Sequence, residues 1–264
     1  MIDSMTGPST GIVAASDGLR LHLALIGGGR PVAVIASTGG FEKDLAPLAK
    51  GRTIACYHSR NRGLSGSTDD QARVGLEREI QDLDEIRRAL RVESIQLLGH
   101  SYNGAVAARY AMLNPHRVQR LVLISTLGPR GYTMYPPADA ALVAKARERL
   151  AKISPPQEVE PLANEVEARA KRRLGYVLAD LERYDWTSEC PSLAVPTLII
   201  AGEEDWVPPE APREWARLLP QARLLHLPNS SHLPWIECPD LFYPAIEAFL
   251  AGSWPEHADR IAHA

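Results

Sequence analysis

Residues 97–104 read Leu97-Leu98-Gly99-His100-Ser101-Tyr102-Asn103-Gly104, and the fold turns on how Ser101 is carried. Ile95 to Leu98 is a short apolar run with strand character, and Ala105 to Leu113 is a good helix. Gly99 to Gly104 is therefore a strand-to-helix turn. The pattern Gly-x-Ser-x-Gly in that context lifts a serine hydroxyl out of a sheet, with a helix N-terminus beneath it to receive negative charge. Here the fifth position is Asn103 and glycine comes one step late. Asparagine is among the residues that tolerate unusual backbone angles. On these letters alone Ser101 could equally be a helix N-cap.

The chain of 264 residues fits one large α/β domain or two small ones, and 45% hydrophobic residues suffice for a sizeable core. A net charge of −3 gives no electrostatic case for nucleic acid. The basic cluster Arg169 to Arg173 is broken by acids on either side and reads as a solvated helix face. Three widely separated cysteines, Cys56, Cys190 and Cys238, show no metal-ligand spacing and suit a reducing compartment. Met1 to Ser16 lacks a secretory pattern, and no apolar run nears the roughly 20 residues of a membrane span. The expectation is a cytoplasmic protein with neither nucleic-acid nor membrane partner. Nothing in the letters reports its oligomeric state.

Seven runs rich in Val, Ile and Leu read as strands: Leu19–Ile26, Pro31–Ala36, Arg52–Tyr57, Ser94–Leu98, Leu121–Ser125, Thr197–Ala201 and Arg223–Leu227. Most are continuously apolar, the mark of strands buried on both faces of a parallel sheet. The first includes His22 and suits an edge or antiparallel place. Between strands, Leu76, Ile80, Leu83, Ile86 and Leu90 fall on one helical face, with Glu, Asp and Arg on the other. Asp240 to Leu250 is a closing helix. This alternation predicts an α/β fold, a mostly parallel central sheet flanked by helices.

From Leu127 to Pro196 no strand candidate occurs. Ala138–Ile153 and Val159–Tyr184 look helical, so residues 127–196 read as a helical lid inserted over the strand ends. The core then comprises residues 11–126 and 197–251, with flexible ends at 1–10 and 252–264.

A serine nucleophile needs a base, and the base an orienting carboxylate. Among eight histidines, His232 lies in a loop between the last strand and the last helix. The acid comes from Glu203-Glu204-Asp205, which leaves the buried run Ile199–Ala201; Asp205, before Trp206-Val207-Pro208, is preferred, with Glu203 and Glu204 as spares. Loops at strand carboxyl ends are where open α/β sheets assemble their sites. Ser101, Asp205 and His232 each follow a strand, in that order.

That order resembles the α/β-hydrolase family. Leu98 to Gly104 resembles its nucleophile elbow, Ala201 to Pro208 its acid loop, and Ser231-His232-Leu233-Pro234-Trp235-Ile236-Glu237-Cys238-Pro239 its histidine loop. Tyr57-His58-Ser59-Arg60-Asn61-Arg62-Gly63-Leu64-Ser65 is similar to the family's Asp-x-Arg-Gly-x-Gly-x-Ser segment. The likeness runs from about Leu19 to Leu250. It implies an oxyanion hole from the backbone N–H of Tyr102 and that of Thr38, or Gly39 if the alignment slips by one.

Three departures stand out. Ala36 and Ser37 occupy the family's His-Gly after the third strand, His58 replaces its Asp, and Asn61 replaces a Gly. Drift of loop-supporting residues explains these, or else His58, Arg60 or Arg62 binds an unusual carboxylate-bearing substrate. The resemblance implies a serine hydrolase acting on an ester, amide, thioester or lactone of a small molecule, with no metal and no cofactor. Gly27-Gly28-Gly29 opens no helix and so is no phosphate loop. Gly39, Phe41, Trp206 and Trp235 are expected at the substrate, with Tyr132, Tyr135 and Trp186 from the lid. A substrate amine would be met by Glu165, Glu167 or Asp180. The same trio also serves acyltransferases, cyclases and lyases, and a hydrolase fold can persist as a small-molecule receptor.

Overall fold

The computed structural model describes residues 9–37, 42–137, 139–153, 168, 171, 175–176 and 179–262. They fall in two compact units, Met1–Leu97 with Val159–Leu178, and Leu98–Glu158 with Ala179–Ala264. The fold is α/β, as expected, and all seven expected strands are present.

In the first unit the strand order is β1 (Ser9–Ala14), β2 (Arg20–Gly27), β4 (Thr53–His58), β3 (Val32–Ser37). β2 runs antiparallel to both β1 and β4, whereas β3 and β4 are parallel, with Ile35 opposite Cys56. Val34, Ala55, Cys56 and Tyr57 are wholly buried, which is why these strands read as unbroken apolar runs. Of the end expected to be flexible, Ser9 and Thr10 belong to β1, and residues 1–8 lie outside the described residues. β1 takes the sheet edge with its side chains mostly exposed, and β2, expected at an edge or antiparallel place, has the antiparallel one.

Helix α1 (Leu76–Ala89) buries Leu76, Ile80, Leu83 and Ile86 as expected. Its buried face also holds Glu79 and Asp82, which corrects the reading of its acids as a solvated side. The reason is Arg60, fully buried two residues past the end of β4. Its Nε and Nη2 donate to the two oxygens of Asp82 at 2.7 and 2.5 Å, and Nη1 donates to Asp17 at 3.0 Å and the Arg73 carbonyl at 2.6 Å. Burial pushes the Asp82 carboxyl up to about 6 despite the guanidinium beside it. Burial also raises Asp17, but hydrogen bonds from Arg60 and the Leu19 N–H outweigh it and hold that carboxyl below its usual range.

The neighbouring departures are equally structural. His58 Nε2 donates to Glu42 at 2.6 Å while its Nδ1 accepts the Leu64 N–H at 2.9 Å, which fixes one neutral tautomer. Asn61 stands at φ 58° and exchanges two hydrogen bonds with the backbone of Thr68. Arg60 is thus consumed by framework contacts, which overturns the suggestion that it binds substrate.

In the second unit the order is β5 (Ile95–His100), β6 (Val118–Ile124), β7 (Thr197–Gly202), β8 (Ala222–Leu227). β6, β7 and β8 are parallel, and every residue of β7 is buried. Helices α2 (Tyr102–Leu113), α4 (Glu210–Leu218) and α5 (Pro239–Leu250) flank them, burying Tyr110, Trp215, Phe242 and Phe249. The carboxyl tail, expected to be frayed from residue 252, is tied down: Leu224 and Asp259 exchange backbone hydrogen bonds at 2.9 Å, and Trp254 lies on Phe249. The outer edge of β8 supplies the unpaired groups that hold it.

Of segment 127–196, the described part contains α3 (Ala140–Ile153) and two short 3-10 turns, Tyr132–Met134 and Cys190–Ser192. Residues 168, 171, 175–176 and 179–181 are helical; the rest of the second expected helix lies outside the described residues. The two ends of the segment meet. Gly131 N–H donates to the Tyr184 carbonyl at 2.7 Å, and Trp186 N–H to the Pro129 carbonyl at 2.9 Å. Trp215 Nε1 donates to the Leu127 carbonyl, and Glu214 pairs with Arg130. These bonds explain why both described ends share a compact unit with β6–β8. Among the described residues no helix is long and apolar enough to cross a membrane.

Candidate active site

Ser101 is the single residue between β5 and α2, at φ 56° and ψ −130°. A non-glycine residue on that side of the map is strained and persists only where its surroundings fix it. Here they do. Ser101 N–H donates to the Ile124 carbonyl at 2.9 Å, and its carbonyl accepts the Thr126 hydroxyl at 3.0 Å and the Gly104 N–H at 2.9 Å.

The glycine pattern follows from the same turn. A Cβ on Gly99 would stand 2.6 Å from the Asn103 carbonyl and 2.7 Å from Gly104 Cα, and one on Gly104 would collide with the side chain of Thr126. The close approaches therefore fall at 99 and 104, and position 103 accommodates asparagine, buried in the first turn of α2. The late glycine is a requirement of this elbow.

His232 reaches both other expected residues. Its Nε2 lies 3.0 Å from Ser101 Oγ, and its Nδ1 lies 2.9 Å from Asp205 Oδ1. With the Nδ1 proton donated to the carboxylate, Nε2 is left as the acceptor for the serine hydroxyl. Asp205 Oδ1 also accepts the Val207 N–H at 3.0 Å. Burial alone would raise the Asp205 carboxyl, but the His232 hydrogen bond and charge and the Val207 N–H outweigh it and hold the group ionised. Of the two spare acids, Glu203 is exposed, and Glu204 is engaged by Lys145 and Arg149.

Two aromatic groups pack on the imidazole. Trp206, half-buried, stacks on it with centroids 4.3 Å apart at 29°. His100 lies 4.7 Å away on another side and makes a 2.8 Å hydrogen bond from Nε2 to the His232 carbonyl. Desolvation pushes the His100 imidazole down to about 3, so it is neutral and donates at Nε2. Trp235, 6% exposed, stands edge-on to His100 at 4.8 Å and against Phe242, so it supports His100 rather than walling an open pocket.

Tyr102 is the first residue of α2, where backbone N–H groups lie outside the helical bonding pattern and the dipole favours negative charge. Thr38, Gly39 and Phe41 lie outside the described residues, as do Glu165 and Glu167. The aromatics expected from segment 127–196 have other partners: Tyr132 bonds Glu182, Tyr135 bonds Glu214, and Trp186 stacks on Tyr184 at 3.9 Å.

Two groups lie in the motifs read from the sequence but are given no role there. His100 was legible in principle, because it adjoins Ser101. Glu237, five residues past His232, is buried and accepts the N–H groups of Ser231 and Leu233 at 2.9 and 3.1 Å, clamping both neighbours of the histidine.

Comparison with known proteins agrees with this architecture. Residues 27–245 match the model of the alpha/beta hydrolase family. The chain is 25% identical over 267 residues to a proline iminopeptidase of Heyndrickxia coagulans, covering 85% of this chain and 91% of that protein. It is 26% identical over 226 residues to the mouse sn-1-specific diacylglycerol lipase ABHD11, covering 76% and 72%. Among solved structures, a hydrolase from Pseudomonas aeruginosa PA01 superposes with a TM-score of 0.72 at 26% identity, covering 94% of this chain and 100% of that one. With its family match spanning most of its length, this chain belongs to the alpha/beta hydrolase family.

Proposed function

We propose that the chain is a serine hydrolase that cleaves an ester, amide, thioester or lactone of a small molecule through an acyl-enzyme on Ser101. The observation that carries this reading is the imidazole of His232, bonded to Ser101 Oγ at one nitrogen and to Asp205 at the other. His232 takes the Ser101 proton as Oγ attacks the carbonyl carbon. The tetrahedral intermediate collapses, and the leaving group departs with the proton from His232. Water, deprotonated by His232 in turn, then attacks the acyl carbon and frees Ser101.

Asp205, held ionised, keeps Nδ1 protonated and offsets the charge His232 acquires. The oxyanion is received by the N–H of Tyr102 at the start of α2 together with that of Thr38. In this reading α3 belongs to a lid, and Trp206 borders the substrate. The named relatives, an iminopeptidase and a lipase, keep both amide and ester substrates within the proposal. Three free cysteines accord with a cytoplasmic setting.

The test is intact-protein mass spectrometry after exposure to a fluorophosphonate probe, followed by an ester and amide screen. A single adduct on the wild type, absent in Ser101→Ala and strongly slowed in His232→Ala and Asp205→Asn, is expected. Folded wild type that neither labels nor turns over any acyl substrate overturns the reading in favour of a receptor. Products that trap an added amine in place of water redirect it to acyl transfer.

A further inference from the structure

Helix α3 sends one side chain to both loops that carry the proposed acid and base. Arg149 Nε and Nη2 donate to Glu237 Oε1 at 2.9 and 2.6 Å, and its Nη1 donates to Glu204. Glu204 immediately precedes Asp205. Glu237 uses its other oxygen to hold the N–H groups on either side of His232, and the Ser231 hydroxyl donates to both of its oxygens at 2.8 and 2.9 Å. The two loops also touch directly, Glu204 N–H donating to the Ser230 carbonyl at 2.9 Å. Lys145, one turn earlier on α3, reaches Glu204 at 2.6 Å but remains mostly exposed.

We propose that Arg149 is a positioning residue that fastens the acid turn and the histidine loop together, so that seating of α3 and alignment of His232 with Asp205 are one event. This inference rests on the hydrolase reading of Ser101, His232 and Asp205. Its chemistry is that of the guanidinium fork. Donors fixed in one plane reach two carboxylates at once, whereas a lysine ammonium is a single point charge on a flexible stem. The Glu237 side chain has no solvent exposure, so without Arg149 it is a buried charge deprived of its cation, and the loop it clamps must shift to find water. A displacement of the base by about 1 Å is enough to lower reactivity roughly 100-fold.

The experiment compares wild type with Arg149→Ala, Arg149→Lys and Lys145→Met. It reads the fluorophosphonate labelling rate, the melting temperature, and peptide hydrogen exchange by mass spectrometry. The expected result is a folded Arg149→Ala whose labelling falls roughly 10- to 100-fold. Exchange then quickens in both loops, residues 203–207 and 230–237, as well as in α3. Arg149→Lys lies between it and wild type, and Lys145→Met labels like wild type. Guanidinium chloride at low millimolar concentration partly restores Arg149→Ala, whereas sodium chloride does not. If Arg149→Ala does not fold, Arg149→Lys decides by the same readouts. Wild-type labelling in the folded variants, with faster exchange confined to α3, overturns the proposal. A folded wild type that neither labels nor turns over any acyl substrate defeats the hydrolase reading instead, and the exchange pattern still decides whether Arg149 joins the two loops.

Discussion

His100 Nε2 donates to the carbonyl of His232 at 2.8 Å, so the residue beside the proposed nucleophile holds the backbone of the residue proposed as its base. A strand end and a distant loop are thereby joined within a few ångströms of the reacting atoms. His100→Gln, which keeps a donor, is expected to label with fluorophosphonate within several-fold of wild type, whereas His100→Leu slows much further. Equal rates in the two variants would remove this hydrogen bond from the account.

The same histidine makes a pH prediction. Its folded state stays neutral down to about 3, while an unfolded chain protonates it near its ordinary value of 6.5. Between those values the unfolded state binds more protons, so His100's contribution to stability is whole above pH 6.5 and is lost as the pH falls towards 3. Melting temperatures from pH 7 to pH 4 are expected to fall less steeply in His100→Gln than in wild type. Parallel curves would show that His100 does not titrate on unfolding.

Gly104 and Asn103 should respond in opposite ways. Asn103→Gly restores the commoner spacing and is expected to leave labelling within a few-fold of wild type. Gly104→Ala drives a methyl group into Thr126 and is expected to cost about 1–3 kcal/mol, with a matching fall in melting temperature and labelling. A fully stable, active Gly104→Ala would contradict the close packing described for the elbow.

Trp206 stacks on the imidazole of His232, and two roles predict different kinetics. As a support of the base, Trp206→Ala slows labelling by a small probe several-fold, and Trp206→Phe retains most of the rate. As a wall of the substrate pocket alone, it raises KM for larger acyl substrates and leaves the small probe untouched. The stack predicts the first outcome.

Arg60 is expected to matter for stability. Removing one partner of a buried ion pair leaves an uncompensated charge and costs about 3–5 kcal/mol, so Arg60→Met should unfold at markedly lower temperature or denaturant concentration. A variant of unchanged stability with a raised KM for carboxylate-bearing esters would reinstate substrate binding.

The parts of the fold legible in the letters are those whose burial is complete. β7, wholly buried and apolar after Thr197, declares itself, and so do the apolar stretches of β4 and β6. β1 does not, because Ser9-Thr10-Gly11-Ile12-Val13-Ala14 is a short, mostly exposed edge strand with no buried run to mark it until β2 is beside it. Asp82 is hidden for another reason: a carboxylate on an amphipathic helix reads as solvated, and only the arrival of Arg60 from just past β4 makes its burial tenable. At the candidate site, Ser101, Asp205 and His232 could be ranked by chain order and by the strands before them. Arg149 could not. A long cation on a charged helix has no periodic signature, and its meaning depends on which two loops lie within reach.

The hydrogen-bonded meeting of Pro129–Gly131 with Tyr184–Trp186 bears on how such a chain diversifies. Departure and return points are neighbours, so the intervening stretch is topologically a bead on a closed ring. It can lengthen, shorten or be exchanged for a relative's while β6 and β7 keep their register, so long as α3 still presents Arg149 to Glu204 and Glu237.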